Sequence, residues 1–122
     1  MITVTNKEFV KDYYDAISGK DKSETVLDQF VSDPELKGHI AFFEAAFPKY
    51  ELVIEDMISE DDKVVVRARC VGVHRGDLMG ISPTGKSIDL PFTVIYQVAS
   101  GKIIKSWLFV DQMEMLKQLG IK

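Results

Sequence analysis

The apolar residues of this 122-residue chain change their spacing once, near Pro48. Before Pro48 they recur every three or four residues, which is typical of helices with one packed face, and after it they alternate as in strands. Helices followed by a run of strands favour an α+β fold in which the helices pack on one face of an antiparallel sheet. With no linker or repeat, we expect a single domain over residues 1–122.

Three helices are predicted before Pro48. Thr5 and Glu8 form a capping box, in which hydroxyl and carboxylate satisfy free N–H groups of the first turn. Asp33 followed by Pro34 is an N-cap residue with proline at the first helical position. The predicted helices span residues 6–18, 23–30 and 34–47.

Four strands and a short final helix are predicted after Pro48. The strands span residues 51–59, 63–74, 87–98 and 102–110, and the helix spans 111–119. Residues 75–86 form a loop with a β-turn at 82–85, and a tight turn follows at 99–101. Pro91 predicts a bulge or an edge within the third strand, because proline cannot donate to the ladder.

The last strand is apolar on both faces. Strict alternation places Ile103, Trp107 and Phe109 on one face and Ile104, Leu108 and Val110 on the other. A sheet with one solvated face would carry polar residues there. The helices can cover only one face, so we expect a second copy of the chain to cover the other, giving a homodimer or a higher oligomer.

Charge and residue counts exclude several kinds of partner. The net charge is −4 and the few arginines are scattered, so we expect no nucleic acid and no membrane surface as a partner. A single cysteine, Cys70, allows no internal disulfide and favours a reducing compartment. The first residues lack the pattern of a signal peptide, and no apolar stretch is long enough to span a bilayer. A cytoplasmic protein is therefore predicted.

The sequence contains no pattern that predicts a metal or a cofactor. Its two histidines, His39 and His74, are far apart and belong to no cluster of ligand residues. No glycine-rich phosphate-binding motif is present. We predict that His39 is a packed or surface residue of the third helix, and that Cys70 is a small buried hydrophobe within a strand.

Several short segments after residue 36 stand in a characteristic order. They are Ala-Ala-Phe-Pro at 45–48, Asp-Lys-Val-Val-Val-Arg at 62–67, Val-His-Arg-Gly at 73–76, Pro-Thr-Gly-Lys at 83–86, Gly-Lys-Ile at 101–103 with Trp107, and Asp111 before Leu116 and Gln-Leu-Gly at 118–120. Their order and spacing together resemble the SnoaL-like polyketide cyclase family.

This resemblance implies the cone-shaped α+β superfold named after nuclear transport factor two. In that fold a strongly curved antiparallel sheet wraps around N-terminal helices and encloses an apolar cavity, and subunits usually associate through the sheet. The superfold hosts isomerases, dehydratases, cyclases and non-catalytic binding proteins, so the fold alone does not decide the function.

Asp111 is the predicted catalytic residue. The resemblance implies that an aspartate between the tryptophan-bearing strand and the last helix acts as a general acid/base in an intramolecular aldol closure, without metal or cofactor. An apolar cavity raises the pKa of a carboxylate, which lets it exchange protons near neutrality. Asp111 followed by Glu114 is also a capping sequence, so helix capping is the alternative role, and the two roles are compatible.

Two parts of the chain could supply a hydrogen-bonding side chain beside this aspartate. Relatives often carry a histidine at the position of His74, which could line the cavity mouth and polarise a carbonyl group, or be a half-exposed loop residue. The characterised cyclases of the family pair the aspartate with a histidine on the preceding strand. Residues 92–97 contain none, which leaves Tyr96 or Gln97 as a hydrogen-bond donor.

Aromatic residues complete the predicted site. Tyr13 or Tyr14 could supply a hydroxyl group to the cavity, the alternative being that one is core and the other surface. Core and cavity wall use the same aromatic residue types, so the sequence does not separate them. The predicted substrate-binding residues are Tyr13, Phe43, His74, Phe92, Tyr96, Trp107 and Phe109.

Three functions remain open at this point. The first is a cofactor-independent lyase or isomerase that acts on a small or medium apolar carbonyl compound. The second is a binding protein that holds an apolar ligand without chemistry. The third is a structural dimer whose cavity is filled by its own side chains. A desolvated Asp111 facing an open pocket would favour the first, and an exposed Asp111 that only caps a helix would favour the others.

Overall fold

The computed structural model describes residues 5–121. The element order is α1 (Asn6–Ile17), α2 (Glu24–Asp28), α3 (Pro34–Ala46), β1 (Glu51–Glu60), β2 (Lys63–Val73), β3 (Ser87–Ala99), β4 (Lys102–Val110) and α4 (Gln112–Gln118). Every predicted helix and strand is present, with ends that differ by at most two residues.

Local side-chain hydrogen bonds begin the helices where the sequence predicts. Thr5 Oγ1 accepts a hydrogen bond from the N–H of Glu8 at 3.1 Å, and Asp33 Oδ1 accepts one from the N–H of Glu35 at 3.1 Å. These bonds satisfy donors that have no partner within the helix. Helix α1 ends before Gly19, which has a positive φ of 68° and donates its N–H to the carbonyl oxygen of Tyr50 at 3.0 Å.

The four strands form one antiparallel meander in the order β1-β2-β3-β4. The sheet is curved, and the N-terminal helices pack against its concave side, which confirms the predicted α+β fold. Val10, Tyr13 and Ile17 of α1 are buried against β2 and β3, where they meet residues such as Val66 and Val94. A second buried cluster joins the end of α3 to α4.

A bulge in β4 corrects the predicted assignment of its faces. Ile103 pairs with Val98, but the next pair joins Lys105 to Gln97, so Ile104 is an extra residue. Because side chains alternate with a period of two, one extra residue exchanges the faces of everything that follows. Ile103 therefore points inward together with Ser106, Leu108 and Val110, and Trp107 and Phe109 lie on the convex outer face.

The position at which β4 ends explains why a proline is tolerated at position 91 in β3. Its neighbour Phe92 pairs with Val110, the last residue of β4, and Pro91 itself pairs only with Arg69 of β2. The first residues of β3 thus form a local edge, where proline costs no ladder hydrogen bond. The edge alternative of the prediction is the one observed.

The outer face of the sheet carries a row of apolar residues that crosses all four strands. Ile58 pairs with Val65, Val65 with Ile95, and Ile95 with Trp107. Ile58 is 67% exposed, and Phe109 in the adjacent row is 60% exposed. Within residues 5–121, no helix is both long enough and apolar enough to cross a membrane.

Candidate active site

A cavity of about 380 Å³ lies between the helices and the concave face of the sheet. Helices α1 and α3 form one side of it, β3 and β4 form the other, and Met115 of α4 with Leu78 of the 74–86 loop contributes further wall. Most of the wall is apolar. A volume in this range matches the usual size of small-molecule sites, so the space suits an apolar compound.

The wall differs between the interior and the mouth. Tyr13, Tyr14, Tyr50 and Tyr96 line the interior and are almost completely buried. The rim, defined here as the exposed lining residues, consists of Glu35, His39, Phe42, Met79, Leu108 and Gln112. The interior therefore offers phenol groups, and ionisable side chains occur at the rim.

Two of the interior tyrosines form a hydrogen-bonded pair. The hydroxyl oxygens of Tyr14 and Tyr96 are 2.7 Å apart, although the residues lie on α1 and β3. Burial raises the pKa of both phenols, and for Tyr96 the proximity of Tyr14 raises it further. Tyr13 packs its ring edge-on against both. Both hydroxyl groups are therefore neutral at physiological pH.

His39 is the imidazole of the rim. Its ring stacks on that of Phe43, one turn further along α3, at 6.4 Å between centroids. Partial withdrawal from water disfavours the charged ring and lowers the pKa of His39. A neutral imidazole at neutral pH can accept a proton from a bound molecule.

The thiol of Cys70 also lines the cavity. Burial raises its pKa to about 12, so the thiol stays protonated. Because the thiolate is the nucleophilic form, Cys70 contributes apolar surface to the wall rather than a nucleophile. In the part of the chain that the structure describes, no group of three or more His, Cys, Asp or Glu side chains could hold a metal ion.

Half of the predicted site residues line this cavity. Tyr13, Phe43, Phe92 and Tyr96 are in its wall, and Tyr14, weighed as an alternative to Tyr13, is there too. Both tyrosines of α1 are buried, so neither is the surface residue that the alternative required. The residues outside the wall are His74, Trp107, Phe109 and Asp111. Trp107 and Phe109 lie outside the wall because the bulge at Ile104 places them on the outer face of the sheet.

His74 is fully buried behind the cavity wall rather than at its mouth or half exposed. Its Nδ1 accepts the backbone N–H of Thr84 at 3.2 Å, and its ring packs 5.4 Å from that of Phe47. Its backbone N–H and C=O bond to Lys86 and Gly85. His74 thus ties the 74–86 loop to the end of β2.

Asp111 lies at the edge of the cavity but outside its wall. The side chain is exposed, and its Oδ1 accepts the N–H of Glu114 at 3.0 Å as the N-cap of α4. Its two neighbours, Val110 and Gln112, do line the cavity. The structure gives Asp111 the capping role, and its catalytic role stays a prediction.

The sequence-based prediction missed lining residues both at the rim and in the buried wall. His39 shares a helical face with Leu36, Ile40 and Phe43, and that spacing could have placed it on the wall. Leu78 is fully buried in the 74–86 loop, where no periodic pattern marks it.

A family model described as SnoaL-like polyketide cyclase matches residues 5–119. The chain belongs to the SnoaL-like polyketide cyclase family. Membership of this family supports a cyclase-type enzyme fold. Among curated proteins no significant match is found.

Solved structures of two putative polyketide cyclases and one putative hydroxylase share the fold. A putative SnoaL-like polyketide cyclase from Jannaschia sp. CCS1 is 26% identical with a TM-score of 0.80, covering 96% of this chain and 92% of that one. IdmH, a putative polyketide cyclase from Streptomyces antibioticus, is 23% identical with a TM-score of 0.76, covering 94% and 98%. AclR, a putative hydroxylase from Streptomyces galilaeus, is 20% identical with a TM-score of 0.79, covering 93% and 80%.

Proposed function

We propose that this SnoaL-like protein is a cofactor-independent acid/base enzyme that acts on a small or medium apolar carbonyl compound. The observation that carries the proposal is the cavity itself, which combines an apolar wall, neutral phenol donors inside and a neutral imidazole at the rim. An apolar body fills such a space, and a carbonyl oxygen is an acceptor to which phenol groups can donate.

The proposed chemistry is removal of a proton from a carbon next to a carbonyl group. The C–H bond breaks, its proton goes to the base, and the electron pair becomes an enolate held by hydrogen bonds to its oxygen. The enolate carbon then attacks a second carbonyl in the same molecule, whose C=O π bond opens to an alkoxide that takes the proton back from the base, and a ring closes. Alternatively the enolate itself takes the proton back at another position. Holding the substrate folded accounts for much of the acceleration.

Two groups compete for the role of the base. His39 lines the cavity and has a pKa lowered by burial, so its neutral ring can accept the proton. Asp111, the sequence-based choice, caps α4 outside the wall. The geometry favours His39, and Asp111 is retained as the competing candidate because both its neighbours line the cavity.

The second candidate function is ligand binding without chemistry. The exposed, capping position of Asp111 favours it, because the residue expected to catalyse does not face the cavity. A purely structural dimer is disfavoured, because a cavity of about 380 Å³ is left open by the protein's own side chains.

Deuterium exchange into 2-tetralone would test the enzymatic proposal. The α-hydrogens of this apolar ketone are lost only through the enolate, so proton NMR in heavy water counts each proton transfer. We expect exchange that saturates with ketone concentration and exceeds that caused by free imidazole at equal concentration. His39→Gln and Asp111→Asn, measured side by side, would assign the base. No acceleration over free imidazole would reject the enzymatic proposal and leave ligand binding.

We also propose that the protein is a homodimer through the outer face of the sheet, with the small apolar ligand as its other partner. The apolar row from Ile58 to Trp107 supports this, since monomers rarely expose extended apolar patches. The single cysteine favours a reducing compartment such as the cytoplasm. Light scattering after size-exclusion chromatography tests the dimer, and the mass of a single chain would refute it.

A further inference from the structure

The hydrogen bond between Tyr14 and Tyr96 uses only one of two available protons. A phenol hydroxyl carries one hydrogen and can also accept a bond. At 2.7 Å, one of the two hydroxyl groups donates and the other accepts. The accepting hydroxyl group still has its own proton, which takes no part in the hydrogen bond between the two tyrosines.

The spare proton has no acceptor in the surrounding protein. Among residues 5–121, neither hydroxyl group makes a hydrogen bond other than the one that joins them. Both side chains are buried and both line the cavity. A buried donor without an acceptor is costly, so the acceptor is expected from whatever occupies the cavity.

The charges around the cavity restrict what that acceptor can be. Glu35 and His39 are at the rim, and the described residues that line the wall include neither lysine nor arginine. A carboxylate or phosphate at the tyrosine pair would be buried without an opposite charge, which is strongly unfavourable. A neutral oxygen meets the need of the donor without that cost.

We infer that Tyr14 and Tyr96 together form a subsite for one carbonyl oxygen of a neutral apolar ligand, with a single shared hydroxyl proton as the recognition element. The inference rests on the proposed function, since it names the group by which the cavity holds its carbonyl compound. The donating tyrosine polarises the accepting one, which makes the remaining proton a stronger donor than that of an isolated phenol. The same bond strengthens as charge develops on the oxygen of an enolate.

A matched pair of ligands tests the subsite. The probes are 2-acetylnaphthalene and 2-ethylnaphthalene, which have similar shapes and differ by the carbonyl oxygen. Calorimetric titration of the full chain gives both affinities, and infrared difference spectra of the ketone labelled with carbon-13 at its carbonyl report the hydrogen bond. We expect the wild type to prefer the ketone about three- to tenfold, beyond the difference in their partitioning from water into octanol, and the carbonyl stretch to move to lower frequency on binding.

Removing both hydroxyl groups is the decisive change. The double variant Tyr14→Phe with Tyr96→Phe should fold, because replacing both partners of a buried bond by apolar groups of the same shape is nearly neutral. It should lose the preference and the frequency shift. Each single variant leaves one hydroxyl whose proton is free, so we expect each to retain a weaker shift. Tyr13→Phe removes the hydroxyl group of a neighbouring cavity tyrosine, which is the rival donor, and the shift should remain if the pair is the subsite.

The possible failures are distinguishable. If the double variant keeps the ketone preference and the shift, or if Tyr13→Phe abolishes them, the subsite is refuted and the proposed function stands. If neither naphthalene binds the wild type, the cavity is not a site for apolar compounds, and the proposed function falls together with the subsite.

Discussion

Substitution of Gly76 by alanine should displace the end of α3 from the 74–86 loop. A Cβ atom at this position would lie 1.9 Å from the carbonyl oxygen of Ala45 and 2.9 Å from its carbon. Both are backbone atoms, so no side chain can rotate away. The N–H groups of Arg75 and Gly76 also donate to the carbonyl oxygen of Ala46, at 3.0 and 3.1 Å. The end of α3 must therefore move, and these two bonds stretch or break.

The size of the effect follows from these contacts. Overpacking costs about 1–3 kcal/mol, and each lost hydrogen bond costs about 0.5–1.5 kcal/mol. The sum centres on about 4 kcal/mol, a large part of the 5–15 kcal/mol typical for a domain. For a chain of this length that lowers the melting temperature by roughly 15 °C. Because α3 forms one wall of the cavity, ligand affinity should fall as well.

Thermal and urea unfolding followed by circular dichroism measure this change. Gly38→Ala is the matched control, since it lies within α3 and no atom stands within 4 Å of its added Cβ. Alanine is favoured over glycine in a helix, so this control should gain about 0.5–1 kcal/mol. A melting temperature of Gly76→Ala within about 3 °C of the wild type would show that the reasoning from the close contact is mistaken.

Three further predictions concern the site and the outer face. Asp111→Asn should keep the fold, since asparagine caps a helix as well as aspartate does, and should retain most of the 2-tetralone exchange; loss of exchange with intact stability would instead assign the base to Asp111. Because the pKa of His39 is lowered in the folded state, the free energy of unfolding should be highest above the ordinary histidine pKa of about 6.5 and should fall as the pH drops through it. Urea unfolding should show a smaller decrease for His39→Gln than for the wild type, and equal decreases would contradict the lowered pKa. Ile58→Glu should convert the proposed dimer to a folded monomer by light scattering, because it places a charge in the apolar row; an unchanged mass would move the interface elsewhere.

Local interactions made most of the fold predictable. The cap at Thr5, the proline after Asp33 and the turn at residues 99–101 depend on neighbours within a few positions, and each lies where the sequence indicates. The predicted ranges of β2 and β3 were also close to those observed, and the two strands pair without a bulge between them. Such features follow from the chemistry of neighbouring side chains and backbone groups.

The site was less predictable because it depends on contacts between distant segments. Nothing near Tyr14 indicates that its hydroxyl group reaches Tyr96, 82 positions away. Burial of His74 depends on the way the 74–86 loop folds back, with Thr84 as the donor to its ring. Strict alternation predicted the wrong face for Trp107 and Phe109, because no residue type marks the bulge at Ile104.

That bulge has a consequence for how such a cavity changes in evolution or by engineering. Deleting the single residue Ile104 would remove the bulge but keep the present pairing, because Ile103, Lys105 and Ser106 would then alternate without interruption and Ser106, Leu108 and Val110 would still face the cavity. The bulge therefore acts as a length buffer, because β4 can gain or lose this one residue while the same side chains line the cavity.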